Sequence, residues 1–526
     1  MPGTRGLGLY TVQAAMRSFA SSLASKRLAL LLPLGLILLL AAGVRVYDLR
    51  NNPPGFFADE AAIGYNAYTI LTSGRDEYGS YFPVFFRSFG EYKFPVFIYG
   101  TVPFIALLGL TEEAVRMTAT VFGTLTVLAV FLLASAMFDR RTALMSAFLL
   151  AITPWHIHYS RIGFELISFP LLLTLGLFLL FAGLRRPRLL VLAAGAFALT
   201  FYTYGAAWII APLTLGMLAL LYGKRVLANP RPALLGLLAF SVLLIPLAVH
   251  IASGHGQTRL GQTSILNLGL RPSETAARFS QFYRSYFSLD FLLRKGDNSF
   301  ITRHFLPGYG HLFWFQLPLV LIGAGFMLWK RRREGILFLW LVLVYPLSGA
   351  LSDMSPISSR TILGPVVLAV LAGYGAAQLA SAFPWRLRVT QRYGPLVVFG
   401  ALTVLGALGL ASYLPEYHRN YPNRSADFWG WQYGPREIVG YFKKVEAGYD
   451  DLVMVGEFNA PEIFFKFYAP EGCPKCRIGD LSLYNRGRKQ LFALKPAQLV
   501  PRFKYATKHT VTYPNGEVAF LLVEAF

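Results

Sequence analysis

The sequence predicts a polytopic α-helical membrane protein with about eleven spans and a small α/β domain at its C-terminal end. Three observations carry that reading. Of 526 residues, 55% are hydrophobic and only 14% are charged, where soluble domains carry about a quarter. The charges lie in short basic clusters between long apolar runs, as membrane topology requires. The character of the chain then changes after residue 413, where mixed polar and apolar segments replace the long runs. The formal net charge of +22 does not indicate a nucleic-acid binder, because the cations are spread over many connections and form no groove-sized patch. Two cysteines are too few for a disulfide framework.

A crossing needs about 20 apolar residues to traverse ~30 Å of hydrocarbon. The first run, Leu28–Val46, follows Arg5, Arg17, Lys26 and Arg27. It is too long for a signal-peptide core and lacks a small-residue cleavage site. Residues 1–27 are therefore expected in the cytoplasm, ahead of a retained helix. Further runs fall at 116–138, 142–158, 166–184, 188–203, 205–222, 233–252, 316–329, 335–351, 361–382 and 394–413, giving eleven. Alternating them from a cytoplasmic start puts Arg140–Arg141, Arg185–Arg186–Arg188, Lys224–Arg225–Arg231, Lys330–Arg333 and Arg386–Arg388–Arg392 on one side. That is the positive-inside pattern, so a multi-pass protein of the plasma (inner) membrane is expected.

Residues 28–413 then form the membrane domain, with external loops at 48–115 and 253–315, and 414–526 form an extracytoplasmic domain. The apolar stretch Phe94–Leu110 contains Pro95 and Pro103. Read as a crossing it would invert every later loop, so it is expected as an interfacial or re-entrant helix. Ala61–Leu71 has the periodicity of another. In the C-terminal domain, Ile438, Val439, Phe442 and Val445 share one face of a helix over Arg436–Ala447. Leu452–Val455 and Val518–Val523 read as strands, and Pro461 opens a second helix. Cys473 and Cys476 form a CxxC, which suits a local disulfide, half of a zinc site or a redox pair. Outside the cytoplasm the disulfide is the plain expectation.

The chemistry centres on Phe56-Phe57-Ala58-Asp59-Glu60, an acidic doublet just after the first span. A helix N-cap at Asp59, with Glu60 favoured by the helix dipole, explains the same residue types without chemistry. Other polar groups converge on that side. Glu91, Tyr92 and Lys93 precede the interfacial helix, and Arg116 opens the second span. His156, His158, Arg161 and Glu165 occupy the turn between the third and fourth. Asp353, Ser358, Ser359 and Arg360 lie between the ninth and tenth. Ionisable groups at membrane depth are functional candidates, and both signs on one face suit an anionic lipid headgroup and acid–base work. The 253–315 loop adds Arg259, Arg271, Arg278, Arg284, Arg294, Lys295 and Arg303, which suit anionic headgroups or the wall of a lipid-head cavity. His311 is within reach of such a site, and Tyr202, Tyr204 and Trp208 suit either sugar stacking or an interfacial aromatic belt.

Pro53-Pro54-Gly55-Phe56-Phe57-Ala58-Asp59-Glu60, Pro154-Trp155-His156-Ile157-His158-Tyr159-Ser160-Arg161 and Arg360-Thr361-Ile362-Leu363-Gly364-Pro365 resemble motifs of the GT-C glycosyltransferases. The nearest likeness is to the protein O-mannosyltransferases and the lipid A aminoarabinose transferases, over residues 28–415. The resemblance implies inverting transfer of a sugar from a polyprenyl-phosphate donor to a hydroxyl of a protein, glycolipid or glycan at the outer face. It implies Asp59 as general base, with Glu60 placing the acceptor and pairing with Arg116. Lys93, Arg161 and Arg360 would meet the donor phosphate, and Tyr92, Arg116, His158 and Glu165 would lie around the acceptor or just behind it. This inventory suits the chemistry: phosphate leaves without a strong acid, so cations and one carboxylate suffice. Many GT-C enzymes carry a second Asp in the next external loop, where this chain has Glu165.

No cofactor is required by this reading. A divalent metal stays open, since His156 and His158 lie near carboxylates, although residues i and i+2 of a helix do not face one another. The competing reading is a transporter or flippase for a lipid-linked or anionic substrate. That class places polar residues at the bilayer midplane on broken helices, whereas here they crowd the span ends.

Overall fold

A computed structural model describes residues 31–255, 263–297, 301–382 and 388–526, with side chains omitted at 382 and 388–392. The expected cytoplasmic segment 1–27, the start of the first span, Arg259 and Arg386 lie outside the described residues, as do the side chains of Arg388 and Arg392.

The chain is mainly helical. Seven described helices are long and apolar enough to cross a membrane, and four shorter apolar helices join them. In chain order the first part runs α1 (Leu31–Val46), α2 (Ala58–Ser73), a hairpin of β1 (Phe86–Ser88) and β2 (Glu91–Lys93), α3 (Pro95–Leu108), α4 (Glu112–Met137), α5 (Arg140–Ile152) and α6 (Pro154–Tyr159). It continues with α7 (Ser168–Gly183), α8 (Leu189–Thr200), α9 (Ala207–Leu227) and α10 (Pro230–His250). The predicted third run is two helices. Thr153 is extended (φ −64°, ψ 120°) because the ring of Pro154 disfavours a helical residue before it. The second run begins at Glu112, with Thr111 capping Ala114. Arg116 therefore sits one turn inside α4 rather than at its mouth.

The helix expected over Ala61–Leu71 exists as α2, but it is not spread on a membrane surface. Ten of its residues are buried. It packs against α3 and α4 and against a helix of the C-terminal segment.

The remaining helices are α11 (Pro272–Ser285), α12 (Gln316–Lys330), α13 (Arg333–Val344), α14 (Leu347–Ala350), α15 (Gly364–Ala382), α16 (Arg388–Pro415), α17 (Tyr421–Ser425), α18 (Pro435–Val445) and α19 (Glu462–Tyr468). Helix α12 packs closely on α15. Gly323 and Gly375 sit where an added Cβ would come within 2.0–2.2 Å of the facing backbone carbonyls.

Two ends of the bundle are distinct. At one, the basic connections gather: Arg185 bonds Ala136 O at 3.5 Å, Arg333 bonds Leu221 O at 2.9 Å and Lys330 bonds Gln378 at 2.6 Å. At the other lie the acidic doublet, the long loops and the C-terminal segment.

That segment carries β3 (Asp451–Met454), β4 (Cys476–Ile478), β5 (Gln490–Leu494), β6 (Tyr505–Thr512) and β7 (Val518–Ala525). The order is β4-β3-β5-β7-β6, parallel among β4, β3 and β5 and antiparallel at β7 and β6. Ile438, Val439 and Phe442 form the buried face of α18, and Cys473 and Cys476 are joined as a disulfide. Buried side chains of α18 and α19 belong to one continuous core with the bundle. The sheet's other face has its own small core of Val453, Phe492, Leu494 and Val523.

Candidate active site

The site is built where α2 begins. Gly55, three residues before it, is crossed closely by the C-terminal segment: an added Cβ would lie 2.3 Å from Trp431 O. The helix then starts with Phe57 as the N-cap, so Asp59 and Glu60 occupy its second and third positions and neither is the cap. Successive helical residues point about 100° apart, and the two carboxylates diverge.

Asp59 borders a cavity of about 230 Å³, and Lys93 enters the same cavity with Nζ 2.7 Å from the Asp59 carboxylate. The hairpin places that lysine. Alternation along β2 puts Glu91 and Lys93 on one face, 3.8 Å apart. Tyr92 contacts the rings of His250 and His255 and also borders the cavity. Glu165, Tyr204, Arg303 and Arg360 complete the polar wall. The cavity thus joins three carboxylates, Asp59, Glu91 and Glu165, with three cations, Lys93, Arg303 and Arg360.

Arg360 lies on the turn Ser358–Thr361 and donates to Thr263 Oγ1 at 2.7 Å. The turn is anchored from below by Asp297, which is 1% exposed. Its carboxylate accepts from the Ser358 N–H at 2.8 Å and hydroxyl at 2.9 Å, and meets His311 Nε2 at 3.0 Å. Arg303 stacks 4.0 Å over Phe57 and donates to Trp429 O at 2.8 Å, tying the cavity to the C-terminal segment.

Glu60 does not face this cavity. Its side chain is fully buried, accepts from Phe57 N at 3.2 Å and Gly163 N at 2.7 Å, and pairs with Arg116 Nε at 3.2 Å. An added Cβ at Gly163 would lie 2.6 Å from Val115 and 3.2 Å from Glu60, so this contact needs a glycine. Arg116 also donates to the carbonyls of Leu49, Pro53 and Gly55. Glu60 and Arg116 thus form the expected ion pair, which is buried, ties down the loop before α2 and does not border the cavity. Glu112, one turn before Arg116, receives Arg436 and the Tyr468 hydroxyl from the C-terminal segment. Burial alone would lower the pKa of Arg436, but the Glu112 carboxylate more than offsets this and raises it.

Arg161 also lies apart from the cavity. It is fully buried and donates to the carbonyls of Val44, Arg45 and Asn52 at 2.9–3.1 Å, so it is spent on backbone and does not border the cavity. His158 meets the Tyr417 hydroxyl at 3.2 Å and, with His311, lines a separate small aromatic cavity. His311 therefore does not reach the site. His156 Nδ1 lies 2.9 Å from a guanidinium nitrogen of Arg45. These partners separate the two histidines that raised the question of a metal. Among the described residues, no cluster of three or more His, Cys, Asp or Glu is arranged to hold an ion. Tyr202 and Trp208 bond the carbonyls of Leu243 and Phe201, leaving Tyr204 at the cavity wall.

Sequence reasoning took Arg303 as one loop cation among many and did not single out Asp297 or His304, which also borders the cavity. The Arg303–His304 pair in an aromatic loop was the only signal for them.

The family profile for dolichyl-phosphate-mannose-protein mannosyltransferases matches residues 93–250, less than a third of the chain. Among solved structures, the chain is similar to ArnT from Cupriavidus metallidurans bound to undecaprenyl phosphate. That match has TM-score 0.53 and 14% identity and covers 94% of this chain and 97% of that one. The chain has the GT-C fold. The oligosaccharyltransferase of Archaeoglobus fulgidus in its apo form matches with TM-score 0.52 and 14% identity, over 86% of this chain. The same enzyme tethered to an acceptor peptide with an NVT sequon matches with TM-score 0.51 and 14% identity, over 84% of this chain and 63% of that one. The chain spans 64% of the length of the apo oligosaccharyltransferase. No curated protein matches it. The GT-C fold and the apolar helices make it an integral membrane protein.

Proposed function

We propose that this GT-C protein transfers a sugar from a polyprenyl-phosphate donor to a hydroxyl acceptor at the outer membrane face, with inversion and with Asp59 as general base. The observation that carries the reading is the Asp59–Lys93 pair on the wall of a cavity that also holds Arg303 and Arg360. The solved relatives add support, one bound to undecaprenyl phosphate and one tethered to an acceptor peptide.

Asp59 takes the acceptor's hydroxyl proton while that oxygen attacks the anomeric carbon from the face opposite the phosphate. The carbon–oxygen bond to phosphate breaks with its electron pair on the phosphate oxygen. Lys93, Arg360 and Arg303 stabilise the charge that develops there. Glu165 and Tyr92 contact the acceptor or the sugar. Glu60 and Arg116 hold the start of α2 in register and touch neither substrate. The C-terminal sheet is extracytoplasmic and the basic connections are cytoplasmic, as the positive-inside pattern requires.

The test uses the purified chain in nanodiscs with lipid-linked sugars extracted from its source membranes. Mass spectrometry should detect free polyprenyl phosphate together with a glycosylated acceptor. Direct consumption of a nucleotide sugar with no lipid intermediate would overturn the reading.

A further inference from the structure

At the bundle end opposite the candidate active site, an apolar groove of about 410 Å³ opens between α7, α8, α9 and α10. Its volume lies within the ~300–1,000 Å³ typical of small-molecule sites. Leu190 and Phe197 of α8, Leu218 and Val226 of α9, and Gly236 and Phe240 of α10 form its wall. The hollow has two physical causes. Helix α8 has 12 residues, about 18 Å at ~1.5 Å per residue, and falls short of ~30 Å of hydrocarbon. Small residues also stand where a side chain would fill the space: a Cβ added at Gly223 meets no atom within 4 Å. Helix α10 is peripheral, with Leu234, Leu235, Leu237 and Leu238 all more than half exposed, so the groove faces lipid.

The helix ends that flank the groove carry exposed cations, and the Glu334 carboxylate also reaches Tyr222 of α9. Residues 166–255 contain no Asp or Glu and six cations: Arg185, Arg186, Arg188, Lys224, Arg225 and Arg231. All six are exposed and flank the groove in the chain. Arg225 precedes the lining residue Val226, Arg231 precedes Pro232 and Arg188 lies two residues before Leu190. An apolar slot between helices whose ends carry exposed cations is complementary to one amphiphile, a hydrocarbon chain bearing an anionic head.

We propose that this groove binds an anionic glycerophospholipid, with one acyl chain between α8 and α10 and the phosphate at Lys224, Arg225 and Arg231. Juxtamembrane cations attract anionic lipids, and the concave slot adds chain contacts that a flat lipid-facing surface lacks. The site is separate from the Asp59 cavity and does not rest on the proposed transfer reaction.

The test is native mass spectrometry of the full chain released from detergent, titrated with phosphatidylglycerol and with phosphatidylethanolamine of identical acyl chains. Phosphatidylglycerol adducts should exceed phosphatidylethanolamine adducts by fivefold or more, about the preference contributed by one surface cation. Lys224→Gln/Arg225→Gln/Arg231→Gln should remove that preference while leaving basal adducts of both lipids. Gly223→Leu, which fills the slot, should deplete both. Equal retention of the two lipids by the unmodified chain, or unchanged binding in both variants, would overturn the proposal. So would displacement of phosphatidylglycerol by undecaprenyl phosphate that is abolished by Gly223→Leu, since the slot would then hold a prenyl chain.

Discussion

The Lys93 ammonium lies 2.7 Å from the Asp59 carboxylate and joins the end of the β1–β2 hairpin to the first turn of α2 across 34 residues of chain. Both side chains are nearly buried, at 2% and 11% exposure. A buried pair of this kind is costly to break from one side. Lys93→Met should therefore lower sugar transfer by about 10²–10³-fold, the effect of removing one preorganised electrostatic group. Lys93→Arg should recover part of the rate. Initial rates of polyprenyl phosphate release from a lipid-linked sugar check this.

Glu60 and Arg116 should act on stability. Each single variant, Glu60→Gln or Arg116→Met, leaves one buried charge without its partner, at a cost of ~3–5 kcal/mol. Thermal unfolding of the detergent-solubilised protein should show a marked loss for both. The double variant should be less damaged than the sum of the two, because neither charge is then stranded.

Arg360 should act on donor recognition. A hydrogen bond to a charged group contributes ~1.5–3 kcal/mol. Arg360→Ala should lower kcat/KM for the lipid-linked donor by about 10–100-fold without lowering thermal stability by a comparable amount. Asp297→Asn, which loosens the turn beneath Arg360, should weaken donor use in the same direction but less.

The C-terminal sheet should lose stability in acid. Burial alone would raise the Asp451 carboxyl, but Arg477 at 2.7 Å and Gln490 at 3.0 Å hold it below its usual range. Burial likewise acts against Glu524, while Lys508 and Tyr449 hold it down. A carboxyl depressed in the folded state stabilises it above the unfolded value, ~4 for these groups. That contribution disappears as pH falls through the folded value. Limited proteolysis of the C-terminal segment should accelerate as pH falls below about 4, and Asp451→Asn should flatten the dependence.

Much of the architecture was readable from periodicity and hydropathy, because a lipid-facing or core-facing helix must be apolar over its length. The helices at Glu112–Met137, Ala207–Leu227 and Gly364–Ala382 follow runs legible in the sequence. The break at Thr153 was hidden, because Pro154 is as compatible with a kink as with two helices. At the site, Asp59, Tyr92, Lys93, Glu165 and Arg360 were singled out and border one cavity. Glu60 was not separable from Asp59 without the helix start, since a one-residue shift of the N-cap rotates each carboxylate by about 100°. Arg161 carried no sign of its fate either. Whether a guanidinium meets ligand or backbone carbonyls depends on α1 ending beside it, a contact across 117 residues of chain. Asp297 was missed, and Arg303 was named only within a run of loop cations, for the same reason: both lie in a loop whose partners are distant in sequence.

In the proposed transfer the Asp59 carboxylate removes the acceptor's proton. The most direct measurement of this step is the rate of sugar transfer from a polyprenyl-phosphate donor by Asp59→Asn, alongside binding of that donor to the same protein. Proton transfer by a positioned side chain contributes ~10²–10⁴-fold, so transfer should fall by that factor or more while donor binding persists. Transfer by Asp59→Asn at the rate of the unmodified protein would show that Asp59 is not the base.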